Sequence, residues 1–234
     1  KRDVEADGFH WELTPGYHRW VTLQFMQMAR LCDLNGIPAD ALRLRHEKMF
    51  EVYQKIRRPN GTYPPVGDAG RGDSSTSDLL GLGALLYRRP DFNCFAENSS
   101  SESWVWLLGP ELIEKAAKNE STPPSFTSLF MSDSKYVVMR SGWGKQDKYL
   151  LFDCAPWRGS HSHQDRLQVT AFAGRDLIVD GGQISYDQPE SKTLRQSEAH
   201  NVVLIDGEEQ LQADPKVLAW HTDSQVDFAS AVVE

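Results

Sequence analysis

No stretch of this chain is apolar for the ~20 residues that a membrane-spanning helix needs, and no run of lysine and arginine marks a general nucleic-acid binder. Its 25 basic residues are outnumbered by 33 acidic ones, and the formal net charge of −8 argues the same way. Cysteine is scarce. Cys32, Cys94 and Cys154 are odd in number and scattered, so they build neither a disulfide framework nor a zinc ribbon, and they leave the redox compartment open. Lys1 carries no initiator methionine and no signal-peptide pattern, and the chain stops in the apolar run from Val226 to Val233. Such ends read as those of a piece of a longer protein, so the missing signal excludes no destination. What remains is an ordinary globular composition, 40% hydrophobic over 234 residues, enough for one large or two small domains.

The chain changes character near its middle. From Thr14 to Leu34 the apolar residues Trp20, Leu23, Phe25, Met26, Met28, Ala29 and Leu31 recur at helical spacing. Asn35-Gly36 ends that helix, and Pro38 opens a second that runs to about Ile56. A turn-rich loop from Arg58 to Gly70 follows, then a third helix over Ser77 to Tyr87 and a short fourth over Pro110 to Lys118. Arg71-Gly72-Asp73 spells an adhesion tripeptide, which in a glycine-rich loop is a chance match. Past the Pro123-Pro124 linker the period becomes two. Tyr136 to Arg140, Lys148 to Asp153, Gln168 to Phe172, Asp176 to Val179 and Asn201 to Ile205 read as strands, with hairpin signals at Gly174-Arg175-Asp176 and Asp206-Gly207. Helices followed by strands, rather than alternating with them, predict an α+β chain: an all-α part over residues 1–124 and an antiparallel β part over residues 125–234.

Three of the seven histidines fall within one stretch of about forty residues, with aspartates between them. Gly159-Ser160-His161-Ser162-His163-Gln164-Asp165 precedes Val179-Asp180-Gly181-Gly182 and Ala199-His200-Asn201. Two apart on an extended segment, His161 and His163 would point to one face. His163, Asp180 and His200 supply two imidazoles and a carboxylate, a donor set suited to zinc with water completing a tetrahedron. Their spacing matches no zinc-finger or His-Glu-x-x-His pattern, so ordinary polar residues at strand ends remain the competing reading.

The segment from Phe152 to Asp165, together with Val179-Asp180-Gly181-Gly182, Tyr186, Leu194-Arg195 and Ala199-His200-Asn201, resembles the β domain of heparinase II/III-type polysaccharide lyases. Asp7-Gly8-Phe9-His10-Trp11-Glu12 through Tyr17-His18 resembles a helical motif of the same enzymes, closest to the heparinase III group, and Pro65-Val66-Gly67-Asp68 also fits. The resemblance implies the last helices of an incomplete (α/α) toroid followed by the first part of an antiparallel β-sandwich. It implies a periplasmic or secreted protein acting on an acidic polysaccharide, and the divalent metal, zinc, expected on His163, Asp180 and His200 is read as structural. In the family an asparagine, or an asparagine-histidine pair, upstream of the tyrosine helix neutralises the substrate carboxylate, and the resemblance assigns it to no residue of this sequence.

The implied reaction is β-elimination at a uronic acid, leaving a 4,5-unsaturated end. A base removes the weakly acidic C5 proton while charge on the neighbouring carboxylate is stabilised, and an acid protonates the oxygen leaving C4. The resemblance gives these proton transfers to Tyr17 and His161. A phenol, with an ordinary pKa of about 10, needs positive surroundings to act as a base. Arg158 and Arg195 are candidates for binding carboxylate or sulfate, and Glu12 for orienting a catalytic side chain. Each has a plain structural alternative in a solvated loop or a helix salt bridge. Two other functions stay open at this point, a metal-assisted glycan hydrolase and a non-catalytic carbohydrate-binding module. The glycan, endo or exo action, and oligomeric state are not legible.

Overall fold

The computed structural model describes residues 3–70, 74–96, 108–110 and 120–233. The expected helix over Pro110 to Lys118 and the Arg71-Gly72-Asp73 tripeptide lie outside them. Among the described residues four helices are bounded first: α1 (Pro15–Leu34), α2 (Asp40–Ile56), α3 (Ser77–Tyr87) and the single turn α4 (Pro90–Asn93). Seven strands follow, from β1 (Leu129–Phe130), β2 (Tyr136–Arg140), β3 (Lys148–Asp153), β4 (Gln168–Ala173) and β5 (Asp176–Ile178) to β6 (Lys216–Thr222) and β7 (Asp227–Val232). The first five form one antiparallel sheet in sequential order, and β6 pairs with β7 in a second. The expected α+β order therefore holds.

Local chemistry accounts for the element ends. Pro15 occupies the first turn of α1, where its missing N–H and fixed φ cost nothing. The helix closes where Ile37 N–H donates to the Cys32 carbonyl across Asn35-Gly36. Along its length α1 buries His18, Thr22, Met26 and Ala29, while Trp20, Leu31 and Leu34 are exposed. The apolar positions that signalled the helix are thus divided between its two faces. Its buried polar side chains are satisfied internally: Thr22 Oγ1 donates to the His18 carbonyl at 2.7 Å, and His18 bonds the Met49 carbonyl and the His10 N–H.

One hydrophobic cluster runs through both halves, joining Phe9, Tyr53 and Ile56 to Tyr136, Val138 and Leu151. Polar ends of its aromatic residues tie the halves together. The Tyr136 hydroxyl donates to the Leu13 carbonyl at 2.6 Å and the Tyr149 hydroxyl to the Ile56 carbonyl at 2.9 Å. Burial of these phenols and of the Arg140 guanidinium shifts their ionisation, lowering Arg140 to about 10 and raising Tyr149 to about 12. Arg140 is nevertheless paired, with the Arg57 carbonyl at 3.1 Å and the face of Trp143 at 3.9 Å.

One expected strand is absent. Asn201 to Ile205 is irregular, and Val203 and Ile205 are 83% and 77% exposed. Its alternation has no buried face to serve, so no ladder forms. The Asp206-Gly207 turn is present, closed by Glu208 N–H on the Ile205 carbonyl at 3.0 Å, without flanking strands. The hairpin at Gly174 does form, with the Ala173 N–H donating to the Arg175 carbonyl and β4 paired to β5.

Candidate active site

Tyr17 projects from the first turn of α1, and His161 from the loop between β3 and β4. Their rings stack with centroids 3.8 Å apart and planes within 16°. Glu12, in the turn before α1, stands 3.0 Å from His161 Nδ1 and 3.7 Å from His10 Nδ1. The His161 contact lies off the line of a hydrogen bond, so it is an electrostatic approach rather than a directed bond. An open cleft of about 540 Å³ runs past Glu12, Tyr17, Trp20, Asp68 and His161. The two residues expected to transfer protons therefore share one cleft between the helices and the sheet.

Sequence reasoning treated Tyr186 and Asp68 only as parts of motifs, and the structure places both in the site. The Tyr17 and Tyr186 hydroxyls lie 2.8 Å apart, and the Tyr186 hydroxyl donates to Asp68 Oδ2 at 2.8 Å. Burial, then the contacts with Tyr17 and Asp68, push the Tyr186 phenol well above its ordinary range. Nothing in spacing could have joined residues 169 and 118 positions apart.

His163 parts company with His161. The loop is a turn rather than an extended strand, closed by Ser162 N–H on the Gly159 carbonyl at 3.1 Å. Side chains two apart thus diverge, and the expectation that they share a face fails. His161 meets the cleft, whereas His163 is buried with its Nε2 2.7 Å from Asp68 Oδ1. Its ring lies 5.2 Å from that of His200, whose Nδ1 is 2.6 Å from Asp180 Oδ2. Burial opposes a charge on His200, but the Asp180 carboxylate, with Asp165 and Asp153 farther off, raises its pKa on balance. The expected trio is therefore gathered in the interior. His163 Nδ1 and His200 Nε2 are both buried without a hydrogen-bond partner, as lone pairs awaiting an acid would be. As the side chains lie, no group of three His, Cys, Asp or Glu among the described residues stands in a metal-holding arrangement.

Two glycines make this geometry possible. Gly67 and Gly182 have φ of +57° and +58°, and a Cβ on them would sit 2.9 Å from the His161 carbonyl oxygen and 2.3 Å from that of Ala69. They let the Asp68 loop close on the histidine loop on one side and on the Asp180 turn on the other. The Asp68 N–H donates to the His161 carbonyl at 3.1 Å, and Gly182 N–H to Asp180 Oδ1 at 2.7 Å.

The remaining candidates flank this centre. Arg195 Nη1 is 4.0 Å from Asp68 Oδ2, and its Nη2 reaches the Ser162 carbonyl at 3.5 Å. Arg158 stands 3.7 Å from Glu5. Behind them Asp165 binds Arg166 at 2.6 Å and Gln168 at 2.8 Å, and burial, with Asp165 beside it, pushes Asp153 up to about 8.

Known proteins carry the same arrangement of elements. Residues 123–224 match the family described as "Heparinase II/III-like, C-terminal", and residues 1–80 match "Heparinase II/III N-terminus". A heparin-sulfate lyase of Pedobacter heparinus is 21% identical over 97% of this chain and 33% of its own length. The crystal structure of heparan sulfate lyase HepC from Pedobacter heparinus superposes with a TM-score of 0.78 at 20% identity, covering 98% of this chain and 35% of that one. A crystal structure of heparinase III does so with a TM-score of 0.78 at 16% identity over 94% and 35%. The chain spans about a third of the length of these relatives. With both halves matched in order, the chain belongs to the heparinase II/III-like family.

Proposed function

We propose that the protein acts as a polysaccharide lyase, cleaving a uronic-acid-containing glycan by β-elimination, with heparan sulfate as the first substrate class to test. The observation that carries this reading is the Tyr17–His161 pair, stacked at 3.8 Å on one open cleft with the Tyr17 hydroxyl bonded to Tyr186. The C5–H bond breaks, its electron pair forms the C4–C5 double bond, and the C4–O bond breaks as that oxygen gains a proton. No water is consumed. Tyr17 and His161 stand side by side, so one takes the proton and the other supplies it from a single side of the sugar. Glu12 beside Nδ1 leaves His161 Nε2 as the nitrogen for substrate. Arg195 and Arg158, 31% and 30% exposed, are the proposed partners of substrate carboxylate or sulfate.

A divalent metal, zinc by its donor set, on His163, Asp180 and His200 belongs to this proposal: two of their nitrogens are buried and unpartnered, while Asp180, which lies 2.6 Å from His200 Nδ1, would have to turn to complete the set. When bound it would supply cross-linking between the histidine loop and the turns around Asp180 and His200. These residues hold the loop that carries His161, and they lie away from the open cleft. An acidic polymer is met outside the cytoplasm, so a periplasmic or secreted location accompanies this reading. No helix among the described residues is long and apolar enough to cross a membrane. The test is to mix full-length protein with heparan sulfate and other uronate polysaccharides and follow ultraviolet absorbance. New absorbance from a conjugated uronate is expected, whereas chain shortening without it contradicts a lyase.

A further inference from the structure

The Asp68 side chain bridges Tyr186, whose hydroxyl meets that of Tyr17, and His163 of the buried histidine cluster. It sits on the loop after α2, and its side chain is fully buried. Oδ1 lies 2.7 Å from His163 Nε2 and accepts from Gln183 Nε2 at 3.2 Å, while Oδ2 accepts from the Tyr186 hydroxyl at 2.8 Å. Arg195 Nη1 stands 4.0 Å from Oδ2.

We propose that Asp68 is a positioning residue that fixes the direction of the hydrogen bonds on both sides of it. An ionised carboxylate only accepts. On one side His163 must therefore carry its proton on Nε2, which leaves the Nδ1 lone pair bare, and that is the buried nitrogen without a partner. On the other side Tyr186 must donate to Asp68, so it has only lone pairs to offer Tyr17, and Tyr17 becomes the donor across the 2.8 Å contact. Where Tyr17 takes the C5 proton, it passes its own along Tyr186 to Asp68, so the protons balance. One buried carboxylate sets a tautomer and a hydroxyl orientation together. The consequence for turnover rests on the lyase reading above, whereas the consequence for the His163 tautomer does not.

Asp68→Asn separates this role from simple packing, because the surrounding network dictates how the replacement sits. His163 and Gln183 both donate at the Oδ1 position, so the amide oxygen must face them and the amide NH2 must face Tyr186. The His163 side is then unchanged, while Tyr186 receives a hydrogen bond and must donate to Tyr17, reversing the chain. In the full-length, metal-loaded protein, Asp68→Asn should keep the metal stoichiometry and the Nε2–H tautomer of His163, read by nitrogen-15 NMR. Its kcat should fall by about 10–100-fold, the usual loss when an orienting partner is removed, with KM near wild type. Adding Tyr186→Phe to Asp68→Asn should cost far less than the product of the two single effects. Asp68→Ala should lose the tautomer and the metal as well.

Wild-type kcat in Asp68→Asn would overturn the proposal. So would loss of tautomer, metal and turnover together in that variant, since the carboxylate would then be a general support. Multiplicative single effects, or a His163 tautomer untouched in folded Asp68→Ala, would overturn it too. A wild-type protein that forms no unsaturated product from any uronate glycan refutes the lyase reading instead, and the His163 tautomer then decides the role of Asp68.

Discussion

Replacing Tyr17 with phenylalanine removes one oxygen and leaves the ring that stacks on His161 at 3.8 Å. The lost hydrogen bond, 2.8 Å to Tyr186, lies at the surface, and Tyr186 is 57% exposed and keeps its bond to Asp68. A net intramolecular hydrogen bond contributes about 0.5–1.5 kcal/mol, and an exposed one sits at the low end. Stability of the variant should therefore fall by no more than about 1 kcal/mol, read by denaturant unfolding. Proton transfer by a positioned group contributes a factor of about a hundred to ten thousand. At about 1.36 kcal/mol per factor of ten, the barrier should rise by about 2.7–5.4 kcal/mol, with glycan binding nearly intact. The two effects differ several-fold, and initial rates measured beside unfolding curves resolve them. Wild-type turnover in Tyr17→Phe would refute the reasoning, as would a stability loss large enough to explain the missing activity.

His163→Ala should lower metal content and melting temperature together, because a metal bound only by the folded chain contributes its binding free energy to folding; elemental analysis beside thermal melting checks this. Burial, partly offset by a hydrogen bond to the Thr22 carbonyl, lowers the His46 pKa to about 4, and burial takes His18 to about 3. Both bind a proton more readily when unfolded. Their contribution to stability is therefore complete above about pH 6.5 and is lost as pH falls towards 4, at up to about 1.4 kcal/mol per pH unit for each. His46→Gln should flatten the dependence in that window by up to the share of one histidine, and an unchanged slope would show that His46 titrates normally.

Local signals carried much of the fold. Pro15, Asn35-Gly36 and the apolar period bound α1 to within a residue, and the apolar runs read as strands at Tyr136 to Arg140 and Lys148 to Asp153 match the observed limits of β2 and β3. The same signals failed where tertiary context decides. Val203 and Ile205 alternate like strand residues but meet no sheet, whereas β6 and β7 form a local hairpin, closed by Asp223 N–H on the Val226 carbonyl at 3.1 Å, in a stretch that the strand readings did not cover. The site divides in the same way. Tyr17, Glu12 and His161 come together as the motifs imply, and His163, Asp180 and His200 cluster in the interior. The turn that sends His161 and His163 apart is set by Ser162 and Gly159, not by their two-residue spacing. Asp68 and Tyr186 meet across 118 positions, through a loop whose closure depends on Gly67 and Gly182.

The central claim is that cleavage is an elimination through Tyr17 and His161, and cleavage in heavy-oxygen water tests it most directly. Full-length protein would be given heparan sulfate in that solvent and the new ends analysed by mass spectrometry. With reducing ends trapped by borohydride before their hemiacetal oxygen exchanges, elimination places no solvent oxygen in either product and leaves one end lighter by a molecule of water, and Tyr17→Phe forms far less of that lighter end. Heavy oxygen incorporated at the cleaved bond would show hydrolysis and contradict the account.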